Sequence, residues 1–299
     1  MIRVTAWYEM TEEAGYYPEP YETRLWGIME ANQYAEVRNM VDVQKLNEDI
    51  SYFQVPYKDI FVAIYVIRTE KGTVLFDTAA CDEDVHGYIL PALQELQLTP
   101  SHIFISHNHK DHAGGLASAA ALWPDAAILT RSEDLCKSYP NAAAPADGER
   151  ILDVLRVIAI PGHTKDSAAL LDLRTNTLIT GDCLQSYGIY GSGTWYGAVV
   201  FPAEHFAAVR KLRALPLTVI ATAHDYHPVG IISRGTDEIN ARLDSCVGAL
   251  ERLRSLIEAN PTLADDRVAE LANDGQLPQV APRVITALRK MICTDMDNT

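Results

Sequence analysis

From residue 107 to residue 112 the chain reads His-Asn-His-Lys-Asp-His, which places three of its nine histidines in one short window beside a carboxylate. The apolar run Ile103-Phe104-Ile105 precedes the window, and Gly114-Gly115 with the alanine-rich stretch from Leu116 to Leu122 follows it. That order predicts a buried strand, a polar turn and then a helix. Polar groups clustered at the mouth of a buried strand are the place where an α/β fold exposes side chains for chemistry. Neutral imidazoles beside an ionised carboxylate form the donor set that a borderline divalent ion such as zinc prefers.

Three further candidates follow, each at the end of an apolar run. His163 stands in Pro161-Gly162-His163-Thr164 after Val157 to Ile160, and Asp182 stands in Thr180-Gly181-Asp182 after Thr177-Leu178-Ile179. His224 stands in Ala223-His224-Asp225-Tyr226 after Thr218 to Ala221. An HxHxDH window, a Pro-Gly-His-Thr turn, a Gly-Asp and a last histidine, in that order, resemble the metallo-β-lactamase-fold superfamily of metallohydrolases. An upstream element matches as well: Phe61 to Ile67, Lys71-Gly72, then Thr73-Val74-Leu75-Phe76-Asp77-Thr78. In the family this is the opening strand pair, whose aspartate supports the metal site from behind its ligands. Ala79 stands where the family has glycine, a departure confined to local turn geometry.

The resemblance implies an α/β fold, a four-layer αββα sandwich, carrying a dinuclear zinc hydrolase site. It assigns His107, His109 and His163 to one ion and Asp111, His112 and His224 to the second, with Asp182 bridging. Two zinc ions per chain are expected, with iron or manganese as the alternatives. Such ions, roughly 3.5–4 Å apart, share a hydroxide whose parent water has its pKa lowered toward about 7. The expected activity is attack of that hydroxide on a small lactone, ester or thioester, with Asp111 orienting the nucleophile. Tyr187 and Tyr190 are candidate catalytic donors by analogy with acyl-homoserine lactonases, which carry a tyrosine shortly after the bridging aspartate. The glycine- and cysteine-containing signature of glyoxalase II is not seen in this region, and the bridging Asp182 argues against a true β-lactamase. An iron-dependent oxidoreductase resembling the persulfide dioxygenases, and a phosphodiesterase, are the alternative activities. A non-catalytic scaffold would be expected to have lost a ligand, and none is lost.

Composition sets the context. With 25 basic and 40 acidic residues the net charge is −15, which disfavours nucleic acid as a partner and leaves a small molecule as the expected substrate. Five cysteines, an odd number with no Cys-x-x-Cys, suggest reduced thiols and a cytoplasmic setting, and Cys183 reads as packing. No run of about 18 apolar residues occurs, so no membrane partner is expected. Residues 1–232 are expected to form the sandwich, with Ile2 to Tyr8 as a strand. A Tyr-rich insert over about 9–57 would serve as pocket wall, as cap or as a homodimer contact. Residues 233–299 read as a C-terminal helical extension: from Thr236 apolar residues recur at helical spacing until Asn260-Pro261, and Pro282 opens a last helix.

Overall fold

Alternation along the apolar runs decides the layers. In the computed structural model, which describes residues 41–190, 199–273 and 279–297, the strands form two seven-stranded sheets. The first sheet runs in sequence order: β1 (Gln44–Lys45), β2 (Ile50–Tyr57), β3 (Ile60–Thr69), β4 (Gly72–Phe76), β5 (His102–Ile105), β6 (Ala127–Thr130) and β7 (Ala142–Ala143). The second contains β8 (Arg150–Ile151), β9 (Leu155–Ala159), β10 (Ala168–Asp172), β11 (Thr177–Ile179), β12 (Gly188–Ile189), β13 (Val219–His227) and β14 (Gly230–Arg234). Its order is β12-β13-β11-β10-β9-β8, with β14 also paired to β13.

Successive strand residues point to opposite faces, and the core divides accordingly. Tyr65, Phe76 and Phe104 from the first sheet meet Val157, Leu170 and Ile179 from the second in one cluster between the sheets. Val66, Leu75 and Ile103 face outward onto the helical residues Val85, Ile89 and Leu116. Ile158, Leu171 and Leu178 face the other way, onto the Pro202–Arg213 and Gly235–Ala259 helices. The order helix, sheet, sheet, helix is the expected sandwich, and the C-terminal helices Asp265–Asn273 and Pro282–Asp297 pack on Leu250, Leu253 and Ile257 as a further layer. No helix among the described residues is long and apolar enough to cross a membrane.

One expectation needs correction. Ile50–Tyr57, assigned from its tyrosines to the insert, is a full strand paired with β3 from Ile50–Ile67 to Tyr57–Ile60. Phe53 and Val55 face one core, and Ile50 and Tyr52 the other. This period of two was outweighed in the sequence reading by the density of aromatic residues. The expected Ile2–Tyr8 strand, the earlier tyrosines and Trp26 of the insert, and Trp195 and Tyr196 lie outside the described residues.

Strand direction gathers the chemistry at one edge. β4, β5 and β6 are parallel, and β9, β11 and β13 also run in a common direction. The two sheets are tied there by the Ala168 N–H to the Ser106 carbonyl (2.9 Å), and in the interior by the Tyr65 hydroxyl to the Thr222 carbonyl (2.6 Å). The opposite edge is closed by Arg174. Its guanidinium grips buried Asp172 at 3.0 and 2.7 Å and donates to Asp49 and to the Arg68 carbonyl across the sandwich. Arg174→Ala strands the Asp172 carboxylate, so the expected loss of stability is about 1–3 kcal/mol, below the cost at a fully buried pair because Arg174 is partly exposed. Arg174→Lys should recover only part of it for want of the planar fork. Denaturant unfolding of both variants checks this.

Candidate metal centre

The ligands after β5, β9 and β11 leave strand ends through turns, whereas His224, expected at a strand mouth, lies inside β13 (Val219–His227). After β4, Asp77 and Ala79 take left-handed backbone angles (φ +67° and +58°). The turn thus keeps the geometry glycine would give it, at a strain of roughly 1 kcal/mol for the alanine. After β9, Gly162 (φ +155°) lies so close to the Pro202–Arg213 helix that a side chain would meet the His205 Cβ at 2.7 Å. The pairing of β13 slips between Ala221 and Tyr226, a bulge-like irregularity of the kind that re-aims side chains beside sites; His224 lies within it.

The seven residues converge in two groups, each with its ligand atoms within 4.8 Å of one another: His107, His109 and His163, and Asp111, His112, Asp182 and His224. In the first group His109 Nδ1 lies 3.0 Å from His107 Nε2 and 2.8 Å from His163 Nε2. Three ring nitrogens facing one point cannot all be satisfied by protons, whereas one cation satisfies all three. Around a tetrahedral zinc such nitrogens stand roughly 3.3 Å apart, so only a slight opening is needed. In the second group His224 Nε2 is 3.3 Å from both Asp111 Oδ2 and Asp182 Oδ1, and His112 Nε2 is 3.4 Å from Asp182 Oδ1. The other oxygen of Asp182, Oδ2, faces His163 Nε2 at 3.7 Å. One carboxylate thus serves both groups. His112 Nε2 and Asp182 Oδ1 are buried and have no hydrogen-bond partner. The donor set fits two divalent ions.

The far side of each ring is held as well. His112 Nδ1 lies 2.7 Å from Asp77 Oδ2, and His224 Nδ1 is hydrogen-bonded to the Phe61 carbonyl. The Gln185 carboxamide is 2.7 Å from His163 Nδ1. Binding through Nε2 requires the amide oxygen on that side, an orientation a half-turn of the amide provides. Asp166 accepts the Asn108 N–H at 2.9 Å and fastens the window to the His163 turn. Such outer contacts fix ring orientation and tautomer.

Electrostatics divide the groups. Burial, reinforced by the charge of His112, holds His107 well below the usual imidazole range. Burial opposes charge on His112 and His224 too, but there the carboxylates win: Asp182, Asp111 and Asp77 hold His112 well above its ordinary value, and Asp182 and Asp111 push His224 up to about 9. Burial would raise Asp182, yet His224 and His112 hold it well below the carboxylate range. In the second group, protons on imidazoles therefore balance the carboxylates in a metal-free protein.

The two tyrosines expected to act are placed elsewhere. The Tyr187 and Tyr190 rings lie 6.4 and 4.9 Å from the ring of exposed His227, and the Tyr187 hydroxyl lies against Gly248 of the Gly235–Ala259 helix. Among the described residues, neither is seen to pair with the seven ligands. A different tyrosine does: Tyr226, fully buried, has its hydroxyl unpartnered and beside Asp182, and burial together with Asp182 raises it well above the phenol range. Its signal in the sequence was its position two residues after His224 on one strand, hence on the same face. Tyr57, from the supposed insert, reaches the rim, where burial and then Asp111 raise its pKa. Cys183 is buried among Leu184, Leu212 and Ile220, as packing predicts.

These charges make a stability prediction for the metal-free protein. His224 is raised on folding from 6.5 to about 9, so its contribution is complete below pH 6.5 and is lost as pH rises through about 9. Denaturant unfolding of chelator-treated protein should therefore show stability falling between pH 7 and 9. Zinc-loaded protein, whose His224 carries no proton at Nε2, should lack that slope.

Comparison with known proteins agrees with this geometry. Residues 57–135 match the family model described as the metallo-beta-lactamase superfamily. A hydroxyacylglutathione hydrolase of Xanthomonas axonopodis pv. citri is 30% identical over 211 residues, covering 67% of this chain and 79% of the relative. An atrochrysone carboxyl ACP thioesterase of Paecilomyces divaricatus is 27% identical over 199 residues, covering 64% of this chain and 60% of the relative. Among solved structures, a metallo-β-lactamase from Erythrobacter litoralis superposes with a TM-score of 0.55 at 21% identity, over 70% of this chain and 96% of its own. Fold, ordered ligand windows and relatives coincide, and the chain belongs to the metallo-β-lactamase superfamily.

Proposed function

We propose that the protein is a dinuclear zinc hydrolase of small acyl thioesters. The observation that carries this reading is the divided carboxylate of Asp182, one oxygen toward each group of ligands. His107, His109 and His163 would hold one ion, and Asp111, His112 and His224 the other. Two such ions supply an acidified water and a Lewis acid for the carbonyl oxygen. The choice of thioester is supported by the relatives, a hydroxyacylglutathione hydrolase and a thioesterase, both named for releasing an acyl group from a thiol carrier.

The chain's own residues fit that leaving group. Burial opposes charge on Asp111, but His112 and His224 hold it below its ordinary value. It therefore stays ionised and can orient the attacking oxygen by accepting its hydrogen bond. Attack forms the C–O bond, the C–S bond breaks, and sulfur leaves as thiolate. A thiol of pKa about 8.5 needs no strong acid to depart. Tyr226, raised by burial and by Asp182, keeps its proton beside that carboxylate.

A panel of thioesters, lactones, phosphodiesters and β-lactams on zinc-loaded protein tests the reading. Thioesters should lead; phosphodiesters in first place, or iron with oxygen consumption, would sink it. Metal analysis should give two ions per chain, and His107→Ala should lose one. Tyr226→Phe should lower kcat by about 10–100-fold with the ions retained. Tyr187→Phe and Tyr190→Phe should each stay within about twofold, as for changes away from a site.

A further inference from the structure

Ser106 is engaged at its N–H, its carbonyl and its hydroxyl. It follows β5 directly, is fully buried, and donates its N–H to Asp77 Oδ1 at 2.7 Å. Its carbonyl accepts from Ala168 of the second sheet. Its hydroxyl lies 2.8 Å from Asp77 Oδ2, 3.0 Å from His107 Nδ1 and 3.5 Å from His112 Nδ1. Above it lies Gly181 (φ +55°), where a Cβ would meet the Ser106 Oγ at 2.5 Å and its Cβ at 2.7 Å. The turn carrying the bridging Asp182 therefore closes directly onto this hydroxyl, and only glycine allows it.

The inventory of donors fixes the direction of the chain. A carboxylate accepts only, and a hydroxyl donates one proton and accepts others. Ser106 O–H therefore donates to Asp77 Oδ2, which leaves Oγ free to accept from His107 Nδ1–H. His112 Nδ1–H donates to the same Asp77 oxygen at 2.7 Å. Both rings then hold a proton at Nδ1, which leaves Nε2 of each as the atom that can bind an ion. His107 belongs to the first group of ligands and His112 to the second.

We propose that Ser106 is the positioning residue through which one carboxylate, Asp77, sets the ring tautomer of a histidine in each metal-binding group. Asp77 reaches His112 directly and reaches His107 only through the serine hydroxyl. The two groups are thereby anchored to a single buried anion and are not independent. This rests on the reading that both groups hold ions.

The test pairs ring-nitrogen NMR with zinc titration on the full chain. Long-range ¹H–¹⁵N spectra of metal-free protein at pH 8 should show His107 as the Nδ1–H tautomer. In Ser106→Ala, which only removes an atom from a crowded position, His107 should shift toward Nε2–H. Zinc affinity of the first group should fall by about 10–100-fold, the usual effect of losing such a contact. Asp77→Asn should weaken both groups, and adding Ser106→Ala to it should cost little more. A wild-type His107 found as Nε2–H overturns the proposal without any variant. So does zinc uptake by Ser106→Ala that matches wild type. Wild-type protein that takes up no zinc overturns the metal reading itself, and this proposal with it, so the two failures are distinguishable.

Discussion

A buried carboxylate must find positive charge, and Asp182 is the point at which this fold meets that demand. Both its oxygens are engaged by imidazoles at 3.3–3.7 Å. Desolvation of an unpaired carboxylate costs several kcal/mol, so the surroundings are arranged to supply cations, as protons on His112 and His224 or as divalent ions. The left-handed turn at Asp77, the side-chain-free Gly181 and the slipped pairing of β13 all follow from bringing ligands to that one group.

The ligands were legible because each stands beside a local signal: an apolar run before it and a turn residue next to it. His107, His163 and Asp182 could be placed at strand mouths without tertiary information, whereas His224 proved to lie inside β13, which continues to His227. The sandwich was legible through alternation in runs such as Val157 to Ile160. β2 was not, because its tyrosines suggested a surface role, whereas the burial of Phe53 and Val55 depends on helices from later in the chain. Tyr187 and Tyr190 were chosen by distance along the chain from Asp182. What holds Tyr187 in place is the Gly235–Ala259 helix, whose Gly248 faces its hydroxyl and whose Ser245 bonds Ser186 at 2.7 Å, while Tyr190 lies against His227. Ser106, Gln185 and Tyr226 stand behind the ligand side chains rather than among them, and no short motif announces such contacts.

That helix also explains why the C-terminal extension is continuous with the sandwich. Its Arg242, fully buried, donates to Ser233 and to the Gly230 carbonyl, bracing the β13–β14 turn just beyond His224 and Tyr226. The extension thus supports the strand that delivers the last ligand, through packing and hydrogen bonds.

Each group of ligands draws on both sheets. His107, His109, Asp111 and His112 follow β5, whereas His163, Asp182 and His224 belong to the second sheet. A bound ion would therefore act as a cross-link between the two halves of the sandwich, installed after they dock and withdrawn by a chelator. Because the unfolded chain does not preassemble these groups, binding energy becomes folding energy. A protein built this way would carry two grades of rigidity at the same edge, one set by its apolar core and one set by the free concentration of metal around it.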